Sequence, residues 1–421
     1  MDLYLEQINS AAQLIRAQLL ATDGQEDNAY ETSIASFFSR STLEVKGARK
    51  RLHEALSGLQ RISTGPIELW EQMTLNHQYL SCLRWVLHFK IPTIIPTNNA
   101  VPYTEVARIA NVPDHQLRHV VRMLITNGIF AEPSPESMTH SHLSAKLVAG
   151  SLYLDALHFL TEITAATTYR MAEMTAQYHG SEKPNETAFN IALQTELPFF
   201  GYLSQNPDVA ARLAAGMKVL GSQDGTHTRH LVNGFGWQKL GRAKIIDVGG
   251  SSGHASIALA EAYPDLTFEV QDLAGVIAKA KETPLPAAVA GRITYRVHDF
   301  FRPQPASSSD ASVFLVRLVL QNHSISAAQA ILRNISSAMG PGAFLLINNT
   351  LLPRPGSVGL TEEALERARS LFMMQAMNGM DRDEVEFHGL VEGAGAGLKI
   401  TEIVSPGGGA MAVIIVEKKI E

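Results

Sequence analysis

Lys244-Ile245-Ile246-Asp247-Val248-Gly249-Gly250-Ser251-Ser252-Gly253-His254 is a short apolar run that breaks into a glycine-rich turn and leads into the helical pattern of Ala255 to Ala262. That order predicts a buried strand, a tight turn and a helix N-terminus. Glycine lets a ligand approach the backbone closely, and the first N–H groups of the helix offer donors to a carboxylate, phosphate or sugar. A nucleotide-type pocket at the end of a buried strand is the expectation.

The glycine spacing narrows the ligand. If Gly250 and Gly253 are the last two glycines of G-x-G-x-x-G, Val248 stands where the first belongs, which argues against NAD or FAD and for S-adenosylmethionine. The next strand, Leu266-Thr267-Phe268-Glu269-Val270-Gln271-Asp272-Leu273, alternates apolar with polar residues and ends on Asp272, an acid suited to a ribose diol. Val297-His298-Asp299-Phe300-Phe301 and Val313-Phe314-Leu315-Val316-Arg317-Leu318-Val319-Leu320 follow in order.

At these residues the chain resembles the fungal and plant small-molecule O-methyltransferases, class I S-adenosylmethionine enzymes of the caffeate type, over nearly its whole length. The resemblance implies the α/β fold class: a Rossmann-like methyltransferase domain with an N-terminal all-helical and winged-helix dimerisation domain. It implies a cofactor site with Asp247, Gly249, Gly250 and Gly253 in the turn, Gly249 and Gly250 lying under the methionine part. Asp272 would take the ribose hydroxyls, Asp299 and Phe300 would border the adenine, and Arg317 would lie beside the cofactor.

The whole chain sets the bounds. Its 421 residues, 45% of them hydrophobic, are enough for two domains with a sizeable core. The formal net charge of −6 and the lack of a basic patch speak against nucleic acid as a partner. A single cysteine, Cys82, excludes an intramolecular disulfide and a cysteine-cluster metal site, and no metal is expected. No run is long and apolar enough for a bilayer, and the N-terminus carries no secretory pattern, so a cytoplasmic protein without a membrane partner is expected.

Three regions are expected: a helical and winged-helix dimerisation domain over 1–150, a helical connection lining the substrate pocket over 151–220, and the cofactor-binding domain over 221–421. Leu5, Ile8, Ala12, Ile15, Leu19 and Leu20 predict an opening amphipathic helix, with a polar loop over Thr22 to Asn28. Further helices run from Leu43 to Ile62 and beyond Gly65-Pro66, and they suit packing on a second subunit. Residues 80–145 read as a winged-helix unit. Thr104 would cap its first helix, Pro113-Asp114 would open the second, and Gly128 would end it before a short hairpin. The second helix has only Arg118, His119 and Arg122 as basic residues, so an interaction module, a homodimer interface by the resemblance, is the better reading than DNA recognition.

The family commonly places a histidine near the substrate where this chain has His140, either a hydrogen-bond donor to substrate or a structural residue. Phe199 and Met217 belong to an aromatic and apolar cluster suited to a pocket wall, and Met373 and Met377 on a later helix suit an irregular apolar ligand; core packing is the alternative for all of them. Met411 and Val413 on the last strand are further pocket candidates.

The departure from the family is sharp. There the general base is a histidine just after the strand carrying Arg317, in a segment of the type Leu-His-Asp/Asn-Trp-Ser-Asp; here the segment is Leu320-Gln321-Asn322-His323-Ser324-Ile325. Glutamine cannot take a proton near neutrality, and His323 should project elsewhere. Asp381 remains where the family has an acid to orient the histidine, and Asn348-Asn349 follow the strand Ala343 to Ile347 where the family often has an acid.

Three functions compete. The first is an O-methyltransferase-like pericyclase that dehydrates or cyclises a polyketide or 2-pyridone alkaloid intermediate. Gln321, with His140 and Asn348, would there polarise substrate oxygens, and S-adenosylmethionine or S-adenosylhomocysteine would be held without being consumed. The second is an O-methyltransferase acting on an acidic phenol or enol, or using His323 or His140 as base. The third is a non-catalytic, cofactor-binding partner subunit.

Overall fold

The computed structural model describes residues 1–23, 41–221, 227–405 and 411–419. Gly24 to Asn28 of the expected loop, and most of the Ser405 to Gly409 link, lie outside them. The chain divides into two compact units: Met1–Ala165 with Asn206–Val219 and Val358–Ala364, and Ala166–Gln205 with Leu220–Ser357 and Leu365–Glu421.

In the first unit α1 (Asp2–Asp23) packs on α2 (Leu43–Ser63) through Ala11, Ile15, Val45 and Ala48. The helix α1 therefore takes up Thr22 and Asp23, which the polar pattern assigns to a loop. Gly58 lets the two helices close up, since a Cβ there would come 2.5 Å from the Tyr4 ring. The next helix, α3 (Pro66–His88), starts on a proline whose fixed φ suits the first turn, and Glu68 folds back to accept from the Gly65 N–H at 3.0 Å.

The winged unit follows as α4 (Tyr103–Ala110), α5 (Asp114–Ile125) and a small sheet of β1 (Val101–Pro102), β2 (Ala131–Ser134) and β3 (Ser137–Thr139) in the order β1-β3-β2. Tyr103, Val106, Leu117, Val121, Leu124, Phe130 and Met138 form its core. Thr104 is not a cap: Pro102 precedes the first turn, and α4 already begins at Tyr103. The arginines of α5 are neutralised by acids. Arg122 is held by Glu132 at 2.8 Å and Glu136 at 3.0 Å, and Arg118 by Glu136 at 2.8 Å.

The second unit is built on a sheet of β4 (Ala243–Val248), β5 (Leu266–Asp272), β6 (Ile293–Val297), β7 (Val313–Arg317), β8 (Phe344–Thr350), β9 (Leu398–Val404) and β10 (Met411–Lys418). Its order is β6-β5-β4-β7-β8-β10-β9; the first five strands are parallel, and β10 runs antiparallel to both neighbours. Both faces are covered, so the central strands are apolar throughout. Ile246, Phe314, Val316, Leu345 and Ile347 face α7 (Ile325–Ser336) and α9 (Glu384–Gly393), while Ile245, Leu315, Leu346 and Val413 face α6 (His254–Ala262) and Trp237. Between α7 and α9 comes α8 (Leu360–Met377).

Two strand ends differ from expectation. Strand β8 runs on to Thr350, because Asn348 pairs with Arg317 of β7 and Val413 of β10, and Asn349 with Ala412. Both asparagines are thus inside the strand rather than after it. Strand β7 stops at Arg317, because Leu318 takes a left-handed φ of 55° and diverts the chain into a single 3₁₀ turn, Leu320–Asn322. Among the described residues no helix is long and apolar enough to cross a membrane.

Candidate functional site

The carboxyl ends of β4, β5 and β7 meet where a parallel α/β sheet ordinarily binds its ligand. At the end of β4 Asp247 is 1% exposed; Ser256 Oγ donates to its Oδ2 at 2.6 Å, and its Oδ1 has no partner. Burial pushes its pKa up to about 6, against the Ser256 hydrogen bond and the Arg317 charge. Gly250 lies directly on this carboxyl group, since a Cβ would fall 2.6 Å from its Cγ. Gly249, at φ 70°, would bring a Cβ to 2.9 Å from Val319. Both glycine N–H groups donate to Gln271 O, at 2.8 and 3.1 Å, so they tie the turn to β5 and are not the free ligand donors that its composition suggests. Gly253, at φ 82°, precedes α6.

Asp272 at the end of β5 accepts from the N–H of Ser251 at 2.9 Å and of Leu273 at 2.8 Å, which fixes its carboxyl group; burial raises its pKa. Beyond β6, Asp299 caps its own turn by accepting from Phe301 N at 2.9 Å, and Phe300 stands against Gly249. Phe300, Phe301 and His323 form an edge-to-face trio with centroids 5.0 to 5.4 Å apart. His323 therefore belongs to the aromatic wall around Phe300. Burial and the nearby Arg382 charge hold its pKa down to about 4, so it is a neutral and feeble base. Sequence reasoning did not foresee this trio, although Phe300-Phe301 was its visible half.

Arg317 projects from β7 on the same face of the sheet as Asp247 and donates from Nε to Asn348 Oδ1 at 3.0 Å; Asn348 Nδ2 in turn donates to Ala412 O at 2.9 Å. Asn348 is 1% exposed, with its amide engaged by Arg317 and Ala412 O, so it orients Arg317 instead of facing a substrate, which corrects its expected role. Met411 and Val413 are buried in β10 as well, Val413 beneath Gly234.

The base position is held with unusual firmness. Gln321 is 8% exposed, and its Oε1 has no hydrogen-bond partner. Its backbone is clamped by the Asn378 to Arg382 segment: a Cβ at Gly379 would meet Gln321 O at 2.1 Å, and Arg382 donates to Leu320 O at 3.0 Å and His323 O at 3.3 Å. Between them sits Asp381, 5% exposed, whose pKa burial and the Glu366 charge push up to about 7 against Arg382 and Arg369. Neither Gly379 nor Arg382 was singled out as a clamp from the sequence, because only the fold brings them to residues 320–323.

His140 lies in the first unit with both ring nitrogens engaged, Nδ1 with Ser144 Oγ at 3.0 Å and Nε2 with Ile95 O at 3.2 Å. A carbonyl only accepts, so the single N–H of the neutral ring is committed to Ile95. His140 is thus held within its own unit, the structural one of its two expected roles. Met217, also in the first unit, is 54% exposed rather than enclosed. Phe199 is core, edge-on to Phe189 at 5.2 Å and Phe372 at 6.2 Å. On α8, Met377 is buried and Met373 half-buried.

The residues at the sheet end suit S-adenosylmethionine: Gly249 and Gly250 leave the turn without side chains, the Asp272 carboxyl is fixed, and the Phe300 ring stands against Gly249. The O-methyltransferase domain model matches residues 173–397. O-methyltransferase VdtC of Byssochlamys spectabilis is 43% identical over 374 residues, covering 88% of this chain and 86% of that one. Among solved structures, OxaC in complex with S-adenosylhomocysteine and oxaline shares the fold at a TM-score of 0.73 and 21% identity, covering 93% of this chain and 98% of its own. A structure described as a pericyclic reaction enzyme does so at 0.69 and 19%, covering 99% and 100%. With a match across the cofactor domain and a relative this similar over most of its length, the chain belongs to the O-methyltransferase family, whose cofactor is S-adenosylmethionine.

Proposed function

We propose that the protein is an O-methyltransferase that acts on a phenolic or enolic oxygen of a polyketide-type or alkaloid small molecule, without an imidazole base. What supports the reading is the tight turn of Gly249 and Gly250 beside Asp247 and the fixed Asp272 carboxyl at the sheet end, in a chain 43% identical to a named O-methyltransferase. Bound S-adenosylmethionine supplies an electrophilic methyl group. Asp272 holds the ribose, the Gly249-Gly250 turn lies under the methionine part, Asp299 and Phe300 border the adenine, and Arg317 sits beside them, steadied by Asn348. Gln321 Oε1, otherwise unpartnered, accepts from the substrate hydroxyl and orients it. His323 and His140 are set aside as bases by their environments. The test is to supply S-adenosylmethionine and a panel of phenols and 4-hydroxy-2-pyridones, and to follow S-adenosylhomocysteine together with product mass. The two should rise in step.

One observation favours a second reading, the pericyclase. An amide at the base position, buried with a free acceptor, suits polarisation of a substrate that keeps its mass or loses water. Cofactor left unconsumed beside a new cyclic product would establish it.

The protein works as a homodimer in this reading. Helix α3 exposes Ile67 at 71%, Trp70 at 69% and Met73 at 60%, an apolar stripe at helical spacing that a second copy would cover.

A further inference from the structure

The direction of the Gln321 side chain is set by its backbone. Its Oε1 takes no hydrogen bond, and the residue sits in a single 3₁₀ turn, Leu320–Asn322, entered through Leu318 at a left-handed φ of 55°. The turn's own bonds are Asn322 N–H to Val319 O at 3.0 Å and His323 N–H to Leu320 O at 3.3 Å. Such a turn does not hold itself in place, because its hydrogen-bond geometry is poor and several dihedrals must be fixed for each bond formed. The outside support is Arg382, 1% exposed. Its Nη1 donates to Leu320 O at 3.0 Å and to Met380 O at 3.1 Å, and its Nη2 donates to His323 O at 3.3 Å. The two ends of one planar guanidinium therefore grip the residue before Gln321 and the second residue after it. Arg382 is itself tied to the sheet, since its carbonyl accepts from Leu352 N–H at 2.9 Å just beyond β8. Gly379 closes on Gln321 O, where a Cβ has no room.

We propose that Arg382 is a positioning residue of the transfer step: by holding Leu320 O and His323 O with the two ends of its guanidinium, it sets the direction in which Gln321 meets the substrate hydroxyl. The inference rests on the reading of Gln321 as the group that accepts from that hydroxyl, and it adds what aims it. Arg382 does not touch the substrate; it acts through the turn. Buried charges are ordinarily matched by an opposite charge, whereas these hydrogen bonds go to three backbone carbonyls, two of them in the Gln321 segment. The planar fork matters as much as the charge. Only a group with two donor ends at a fixed separation can hold both carbonyls at once, and an ammonium is a single point on a flexible stem. An amide that orients a substrate without taking its proton contributes through geometry, so a small misplacement of Gln321 lowers the rate directly.

The experiment compares wild type, Arg382→Lys, Gln321→Ala and the double variant as full-length proteins, measuring kcat and KM with S-adenosylmethionine and an accepted phenol, and cofactor affinity by calorimetry. Arg382→Lys keeps the charge and loses the fork. It should lose about 10- to 100-fold in kcat, with cofactor affinity unchanged. In the Gln321→Ala background the same substitution should cause no further loss, because the group it aims is gone. Should Arg382→Lys not fold, Arg382→Gln, which removes the buried charge, gives the same comparison. A proportionally equal loss in both backgrounds, or wild-type kcat in Arg382→Lys, overturns the positioning role alone. Wild-type kcat in Gln321→Ala overturns the role of Gln321 and this inference with it. A wild type that forms no S-adenosylhomocysteine with any phenol overturns the methyltransferase reading itself.

Discussion

Arg317 of β7 and Asn348 of β8 are register partners joined by a 3.0 Å hydrogen bond from Nε to Oδ1, and Asn348 passes the constraint on to Ala412 O of β10. A long guanidinium is thereby held over the sheet end near Asp247 at little further entropic cost. Asn348→Ala should leave a buried carbonyl unpaired and cost about 1–3 kcal/mol of stability. It should also weaken S-adenosylmethionine binding by freeing Arg317. Urea unfolding and calorimetry measure the two effects; unchanged cofactor affinity would mean that Arg317 does not need this neighbour.

Gly250 tests the cradle. Because a Cβ would overlap the Asp247 carboxyl group, Gly250→Ala must displace either the turn or the acid. Overpacking of this kind costs about 1–3 kcal/mol of stability, and the displaced turn should bind the cofactor measurably less tightly. Full affinity in calorimetry would move the cofactor away from this turn.

His323 gives a pH signature. Its folded pKa of about 4 lies below the ordinary histidine value, so the unfolded chain takes up the proton first as pH falls. Its contribution to stability is present above about pH 6.5 and is lost progressively as pH falls to about 4. His323→Phe should flatten that part of a melting-temperature profile. An identical decline in the variant would assign the acid sensitivity to other groups.

Trp70 tests the interface. Trp70→Arg places a charge in the exposed stripe of α3 and should convert a dimer into a monomer in light scattering, without a loss in melting temperature beyond that caused by dissociation. A dimer of wild-type affinity would locate the contact elsewhere.

The glycine turn and the acid at the end of β5 are legible in the sequence because each is set by a local requirement. Gly250 has no room for a side chain, and Asp272 ends a clean alternating strand. The extent of β8 is not local. In the sequence Asn348 and Asn349 read as following the strand, yet β7 and β10 on either side draw them into the ladder. His140 is similar: the carbonyl that occupies it belongs to Ile95, 45 residues away in the chain. Gln321 was visible as a departure, but the clamp of Gly379 and Arg382 that immobilises it depends on a segment that only the folded sheet brings near.

The central claim is methyl transfer, and methyl-deuterated S-adenosylmethionine tests it most directly. Incubated with the purified protein and the phenol and pyridone panel, it should yield one S-adenosylhomocysteine for each labelled product, with the label in a new methoxy group. A cyclic or dehydrated product carrying no label, formed while the cofactor remains intact, would contradict the account and make Gln321 the centre of a pericyclic mechanism.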